Sequence, residues 1–283
     1  MEDSVDRLIE AALAEDIGAG DLTSLYFVPQ ERRTTGFIVA RETGVLSGGE
    51  VAQRVFQKVD PSIETELLVH DGDRIAEGAY VMKIEGPARS VLTAERTALN
   101  FMQRMSGVAK ATRRYVDAVR GTSAQILDTR KTIPGWRILD KLAVSHGGGT
   151  NHRMGLYDRV MVKDNHLVAE GRLEELQEAI RRLKAEHPGV QVELEADDLM
   201  QVADFLELDG VDYLLLDNME LSALREAVEM RGERATPQLE ASGGVTLKTV
   251  AGIAETGVDF ISVGAITHSV KAMDLALDFV KSE

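Results

Sequence analysis

Residues 190–217 read V-Q-V-E-L-E-A-D-D-L-M-Q-V-A-D-F-L-E-L-D-G-V-D-Y-L-L-L-D. Two short apolar runs, 190–195 and 212–217, flank a segment, 198–207, whose apolar residues recur at helical spacing. This reads as strand, helix, strand, and parallel strands need such a crossover. The rhythm continues in both directions. Further strand candidates lie at 124–128, 159–163, 237–241 and 259–263, and further helical stretches at 171–185, 220–230 and 246–256. So many strand–helix units in so short a length suit a closed α/β barrel better than a long open sheet, and pattern alone leaves both standing.

Upstream the rhythm differs. Val5, Leu8, Ile9, Ala12 and Leu13 predict an amphipathic N-terminal helix. Between 34 and 86, short β-like runs (T-G-F-I-V-A-R, I-E-T-E-L-L-V and Y-V-M-K-I-E-G) alternate with turn residues, and G-G-E-V-A-Q-R-V-F-Q-K between the first two reads as a helix. This is the pattern of a small α+β domain. From Ser90 a long helix follows, with a break expected at Ser106-Gly107 and a domain boundary near it.

Composition narrows the function classes. Zero cysteines exclude disulfides, thiolate catalysis and cysteine-ligated metal. There is no apolar run long enough to span a bilayer and no secretory leader pattern, so a cytoplasmic location is expected. A net charge of −15 argues against nucleic acid as the main partner. Yet residues 126–166 hold seven cations against four anions. A basic, glycine-rich stretch in an acidic chain is what a pocket for an anionic small molecule requires, because a concave cationic site focuses its field on the ligand.

Each apolar run ends in polar, ligand-like residues: Asp128-Thr129-Arg130-Lys131, Lys163-Asp164-Asn165-His166, Glu195, Asp217-Asn218, Ser242-Gly243-Gly244 and Val263-Gly264-Ala265. In a parallel barrel these ends share one rim, where such enzymes place their sites. Arg130 offers a bidentate fork and Lys131 a point charge to phosphate or carboxylate. Gly147-Gly148-Gly149, followed by His152 and Arg153, supplies backbone N–H groups able to wrap an anion. Lys163 closes a buried strand, which makes it an anion ligand or a Schiff-base nucleophile. Glu193 and Glu195 share a strand face, with Glu195 nearer the rim. Glu195 and Asp217 could steady a developing positive charge, bind sugar hydroxyls or hold Mg²⁺. The glycine loops at 242–244 and 263–265 suit a phosphate. Around His146 and His152 the spacing supplies no third metal ligand, so no protein metal cage is expected.

The chain resembles the quinolinate phosphoribosyltransferases over nearly its whole length. The resemblance rests on E-D-I-G-A-G-D-L-T-S (15–24), A-E-R-T-A-L-N-F-M-Q-R-M-S-G (94–107), D-T-R-K-T-I-P-G-W-R (128–137), G-G-G-T-N-H-R-M-G-L (147–156), V-K-D-N-H (162–166), L-L-L-D-N-M (214–219), A-S-G-G-V (241–245) and V-G-A-I-T-H-S (263–269). It implies an N-terminal open α/β sandwich over 1–107, with a C-terminal helix at about 271–283 packing back on it, and an incomplete α/β barrel over 108–270. It also implies a homodimer in which Arg96 reaches the partner's active site. By the same resemblance, Arg130, His152, Arg153 and Lys163 bind the two carboxylates of quinolinate. Lys131, Glu195, Asp217, Ser242, Gly243, Gly244, Val263, Gly264 and Ala265 surround the phosphoribosyl group and Thr129 is a further substrate-binding residue, with Lys131, Lys163, Glu195 and Asp217 expected to be catalytic. The implied reaction joins quinolinate to 5-phosphoribosyl-1-pyrophosphate with Mg²⁺, giving nicotinate mononucleotide, pyrophosphate and CO₂ for NAD biosynthesis. Trp136 and Ser145-His146 depart from common family usage without touching the matched positions.

Three other readings compete. A Schiff-base lyase would use Lys163 but leaves Arg96, Arg130 and Arg153 without a task. A non-catalytic anion-binding protein would need the cations but not the rim carboxylates. A family paralogue would act on another pyridine-like substrate.

Overall fold

The computed structural model describes residues 2–163 and 173–280. In chain order the first elements are α1 (Glu2–Ile17), α2 (Leu22–Phe27), β1 (Arg33–Ala40), β2 (Gly44–Val45), α3 (Gly49–Val59), β3 (Glu64–Leu67), β4 (Arg74–Ile75), β5 (Tyr80–Pro87) and α4 (Ala88–Ala118). Then come β6 (Gln125–Leu127), α5 (Arg137–His146), β7 (Arg159–Val162), α6 (Leu173–Glu186), β8 (Gln191–Ala196), α7 (Leu199–Leu206), β9 (Tyr213–Asp217), α8 (Leu221–Arg231), β10 (Gln238–Ser242), α9 (Val250–Ala254), β11 (Phe260–Ser262), α10 (Ala265–His268) and β12 (Leu275–Phe279). No helix among the described residues is long and apolar enough to cross a membrane.

The chain divides into two compact units. One comprises residues 1–113, 132–148 and 266–283, the other 114–131 and 149–265. In the first, an antiparallel sheet of order β12-β1-β5-β3 carries α3 against β3, with α1 against α3. Its core includes Ile9, Ile38, Phe56, Met82, Ile84 and Phe101, all essentially fully buried.

Two expectations fail here. α4 runs unbroken through Ser106-Gly107. A Cβ on Gly107 would stand 2.4 Å from the Lys271 carbonyl oxygen, so this glycine permits a close backbone approach and does not interrupt the helix. The expected boundary at 107 therefore falls inside a helix, and the contiguous 1–107 domain is joined by α5 and the C-terminal segment. The expected C-terminal helix is instead the strand β12, which pairs antiparallel with β1 (Leu275 opposite Ala40, Phe279 opposite Gly36). L-A-L-D-F has adequate helix propensity, but the open edge of β1 offers it backbone partners, and tertiary pairing overrides local preference. Trp136 stacks on Phe101 with ring centroids 4.9 Å apart, and His146 Nδ1 meets Ser47 Oγ at 2.8 Å. Both residues are thereby given structural roles. The helix α5, not expected above, does carry apolar residues at helical spacing, Leu139, Leu142 and Ala143.

The second unit is a parallel sheet of order β6-β11-β10-β9-β8-β7. Among the described residues its first and last strands are not paired with each other, so the sheet forms the expected incomplete barrel. The three leucines of β9 are buried, as parallel strands covered on both faces require. One device occurs twice at strand starts. Asp212 accepts the Val192 N–H at 2.7 Å and the Lys184 ammonium at 2.6 Å. Asp259 accepts the Leu239 N–H at 2.7 Å and the Arg231 guanidinium at 2.6 Å. Each aspartate satisfies the amide of the second residue of the neighbouring strand and ties it to a helix, α6 or α8.

Candidate active site

A cavity of about 500 Å³ opens at the carboxyl ends of these strands. Every one of the six strands, or the segment directly following it, contributes lining, which is why a sheet that curls on itself can assemble a site from residues far apart in sequence. Thr129, Arg130 and Lys131 follow β6, Lys163 follows β7, Glu195 lies on β8 and Asp217 ends β9. Ser242, Gly243 and Gly244 come from β10 and its loop, and His152 and Arg153 from the loop before β7.

The cations are held in place by the scaffold. The Arg153 guanidinium donates to the Arg159 carbonyl at 3.0 Å and to Met161 Sδ at 3.6 Å. Burial holds its pKa below the ordinary value, and the like charge of Arg130 acts in the same direction. Two guanidinium groups that repel one another in a cavity favour an anion between them. Lys163 forms a close ion pair with Glu195. A Schiff base needs the uncharged amine, so this pairing favours an electrostatic role for Lys163. Asp217 accepts from the Asn218 side chain at 2.7 Å and stays half-exposed at the cavity.

Gly243 and Gly244 have φ of +95° and +58°. A Cβ on Gly243 would come within 2.2 Å of Asn218 Oδ1, whereas Gly244 faces open space. Glycine at 243 is thus required by the packing of the loop, and the bare backbone at 244 is open to a ligand. The helices that follow these loops, α9 and α10, have five and four residues. Loop amides, more than a helix dipole, would make any phosphate cradle here.

In the cavity wall lies a polar group that the spacing did not reveal: His152, Glu240 and Ser262 line the cavity and Glu193 stands behind them. His152 Nε2 is 3.2 Å from Glu193 Oε2 and 3.3 Å from Glu240 Oε2. Arg159 Nη1 is 3.5 Å from Glu193, and the Arg159 guanidinium lies over the Tyr213 ring at 4.1 Å. Ser262 Oγ donates to Glu240 at 2.5 Å. The expectation that His152 lacks carboxylate companions is corrected: the curl of the sheet brings β8 and β10 to one ring. Burial alone would depress the imidazole pKa; the two carboxyls outweigh it and raise it to about 9. The Arg153 N–H donates to Nδ1 at 2.6 Å, a contact only the singly protonated ring can accept, so it opposes the second proton that the carboxyls favour; Nε2, which faces them, is protonated in either state.

Not every expected residue meets the cavity. Arg96 is exposed on α4, in the other unit, and does not line it. Val263 is buried and its N–H bonds the Leu127 carbonyl, so that amide is committed to the sheet. Ser262 lines the wall in place of Val263, Gly264 and Ala265. Asp164, Asn165 and His166 lie outside the described residues.

Comparison with known proteins gives the family. The profile for the quinolinate phosphoribosyl transferase C-terminal domain matches residues 108–278, and that for the N-terminal domain matches 21–106. The chain belongs to the quinolinate phosphoribosyltransferase family. A nicotinate-nucleotide pyrophosphorylase [carboxylating] of Mycobacterium leprae is 44% identical over 280 residues, covering 98% of this chain and 97% of that protein. Quinolinate phosphoribosyltransferase [decarboxylating] 1b of Nicotiana tabacum is 42% identical over 286 residues, covering 95% of this chain and 81% of its own. The nicotinate-nucleotide pyrophosphorylase structure from Francisella tularensis superposes with a TM-score of 0.91 at 38% identity, covering 99% of this chain and 97% of that one. The two family-domain matches meet at residues 106–108, within α4. The signal that would have exposed Glu240 is its place two residues before Ser242 on one strand, the same spacing that links Glu193 to Glu195.

Proposed function

We infer that this chain transfers the phosphoribosyl group of 5-phosphoribosyl-1-pyrophosphate to the nitrogen of quinolinate, with loss of CO₂. One observation carries the reading: Arg130, Lys131, Arg153 and Lys163 line the same cavity as Glu195 and Asp217. Quinolinate is a dianion and the sugar pyrophosphate carries more charge, so both reactants need cations. As pyrophosphate departs, the anomeric carbon becomes electron-poor, and Glu195 and Asp217 stabilise that charge. The pyridine nitrogen then forms the C–N bond. The cationic ring accepts the electron pair of the adjacent C–CO₂ bond, CO₂ leaves, and a proton takes its place.

Mg²⁺ enters with the pyrophosphate as part of the substrate. Carboxylate oxygens of Glu195, Asp197 and Asp217 lie within 4.8 Å of one another. Glu195 is committed to Lys163, which leaves Asp197 and Asp217 as the hard oxygen donors that fit a hydrated divalent cation. The test is direct. Calorimetry should show quinolinate binding more tightly than nicotinate, which lacks one carboxylate, and CO₂ should be released only with quinolinate, the sugar pyrophosphate and Mg²⁺ together. Equal binding of the two acids, or no CO₂, counts against the reading.

The same proposal includes a homodimer with Arg96 acting in the partner's site. Supporting it, α2 presents Leu22, Leu25, Tyr26 and Phe27 to solvent, the last 83% exposed, an apolar surface of the kind that marks a protein interface. Arg96→Ala and Lys163→Ala subunits, each inactive alone, should regain roughly a quarter of wild-type activity when mixed, because random pairing leaves one intact shared site in half the dimers. No recovery would count against sharing. Several plant relatives are named for the chloroplast or mitochondrion, so the cytoplasmic location also belongs to this proposal, and cell fractionation tests it.

A further inference from the structure

The buried group behind His152 has a consistent logic. Glu193 and Glu240 are fully buried and His152 is 7% exposed. Carboxyl oxygens of Glu193 and Glu240 and a ring nitrogen of His152 lie within 4.8 Å of one another. Two buried carboxylates so close cannot both stay ionised without compensating charge. The two carboxyls share the one Nε2 edge of His152; Glu193 has the Arg159 guanidinium beside it as well, whereas the further contact of Glu240 is the neutral hydroxyl of Ser262. The shifts run the same way. Burial pushes the Glu240 carboxyl up and the neighbouring Glu193 adds to it. Burial also pushes Glu193 up, but His152 and Arg159 outweigh it and the net direction is down.

His152 and Glu240 line the cavity directly, and the cluster also acts on it through the backbone. His152 donates its N–H to the buried Asp128 at 2.9 Å, and its Nδ1 accepts the Arg153 N–H at 2.6 Å. Arg153 in turn hangs on the Arg159 carbonyl. The groups around the ring come from every side: Asp128 after β6, Arg159 on β7, Glu193 on β8, Glu240 on β10, and Ser262 on β11 behind it. We infer that Glu193 and Glu240 are positioning residues: an ionised Glu193 and a protonated Glu240 clamp the Nε2 edge of His152, and the ring acts as a strut that aims Arg153 into the cavity. This rests on the reading of quinolinate as the substrate that Arg153 meets.

The test is a rescue experiment on the full-length enzyme. Glutamine mimics a neutral acid but not a carboxylate. Glu240→Ala should raise KM for quinolinate roughly tenfold or more, with KM for the sugar pyrophosphate little changed, and Glu240→Gln should recover most of it. At Glu193 neither alanine nor glutamine should recover it. Equal rescue at both positions, rescue at neither, or a parallel rise in both KM values would overturn the inference. Should the alanine variants fail to fold, the glutamine pair decides, with Glu193→Gln the more impaired. Infrared difference spectra of wild type against Glu240→Gln should show the C=O band of a protonated carboxyl at neutral pH. That readout needs no turnover, so it separates a failure of the clamp from a failure of the substrate reading. Carboxylate bands alone, or stoichiometric metal in the purified protein that Glu240→Gln removes, would make the cluster something else.

Discussion

Replacing Arg153 by alanine is expected to lower kcat/KM for quinolinate by roughly 10²-fold or more, most of it through KM. A guanidinium–carboxylate contact in a partly dry site contributes about 2–3 kcal/mol, which is a factor of about 30 to 150. The loss should be amplified because Arg153 is preorganised: its two anchors, the Arg159 carbonyl and Met161 Sδ, hold the fork before any ligand arrives. Lysine should not restore the function, since a single ammonium cannot keep both anchors and still present two N–H groups. Steady-state kinetics with each substrate varied in turn check this. A KM for quinolinate unchanged in Arg153→Ala would remove this residue from the carboxylate site.

Asp217→Asn is expected to act on the other kinetic constant. If the carboxylate meets charge that exists only as pyrophosphate leaves, its neutralisation lowers kcat by roughly 10²- to 10³-fold while the KM for quinolinate stays within a few-fold. The amide keeps the volume and the polarity, and Asp217 sits half-exposed at a strand end, so folding should be little affected. Glu195→Gln should also lower kcat. It should raise the KM for quinolinate as well, because it leaves Lys163 without its carboxylate partner. Near-normal turnover in Asp217→Asn would leave a binding pocket without the proposed electrostatic chemistry. Pre-steady-state release of pyrophosphate distinguishes a slowed bond cleavage from slowed product release.

The six parallel strands, their polar ends and the cavity-lining residues Arg130, Lys131, Arg153, Lys163, Glu195 and Asp217 were legible in the chain because each rests on a local signal. A strand buried on both faces is a continuous apolar run, and a polar residue at its end breaks that run visibly. Misreadings arose where distant segments decide. Gly107 looks like a helix break until Lys271 is seen against it, and residues 275–279 look helical until β1 offers an edge. Glu193 and Glu240 stand 47 positions apart and share His152 only because the sheet curls.

The amino-acid sequence by itself thus determined the strand–helix order, the gathering of cations in one segment and the family, since periodicity, charge and motif are properties of neighbours along the chain. Tertiary structure alone decided that two buried carboxyls share one imidazole, with Arg159 beside Glu193 and the Ser262 hydroxyl on Glu240. Protonation in a buried cluster follows from through-space charge and lost solvation, and neither is encoded by any one stretch of residues.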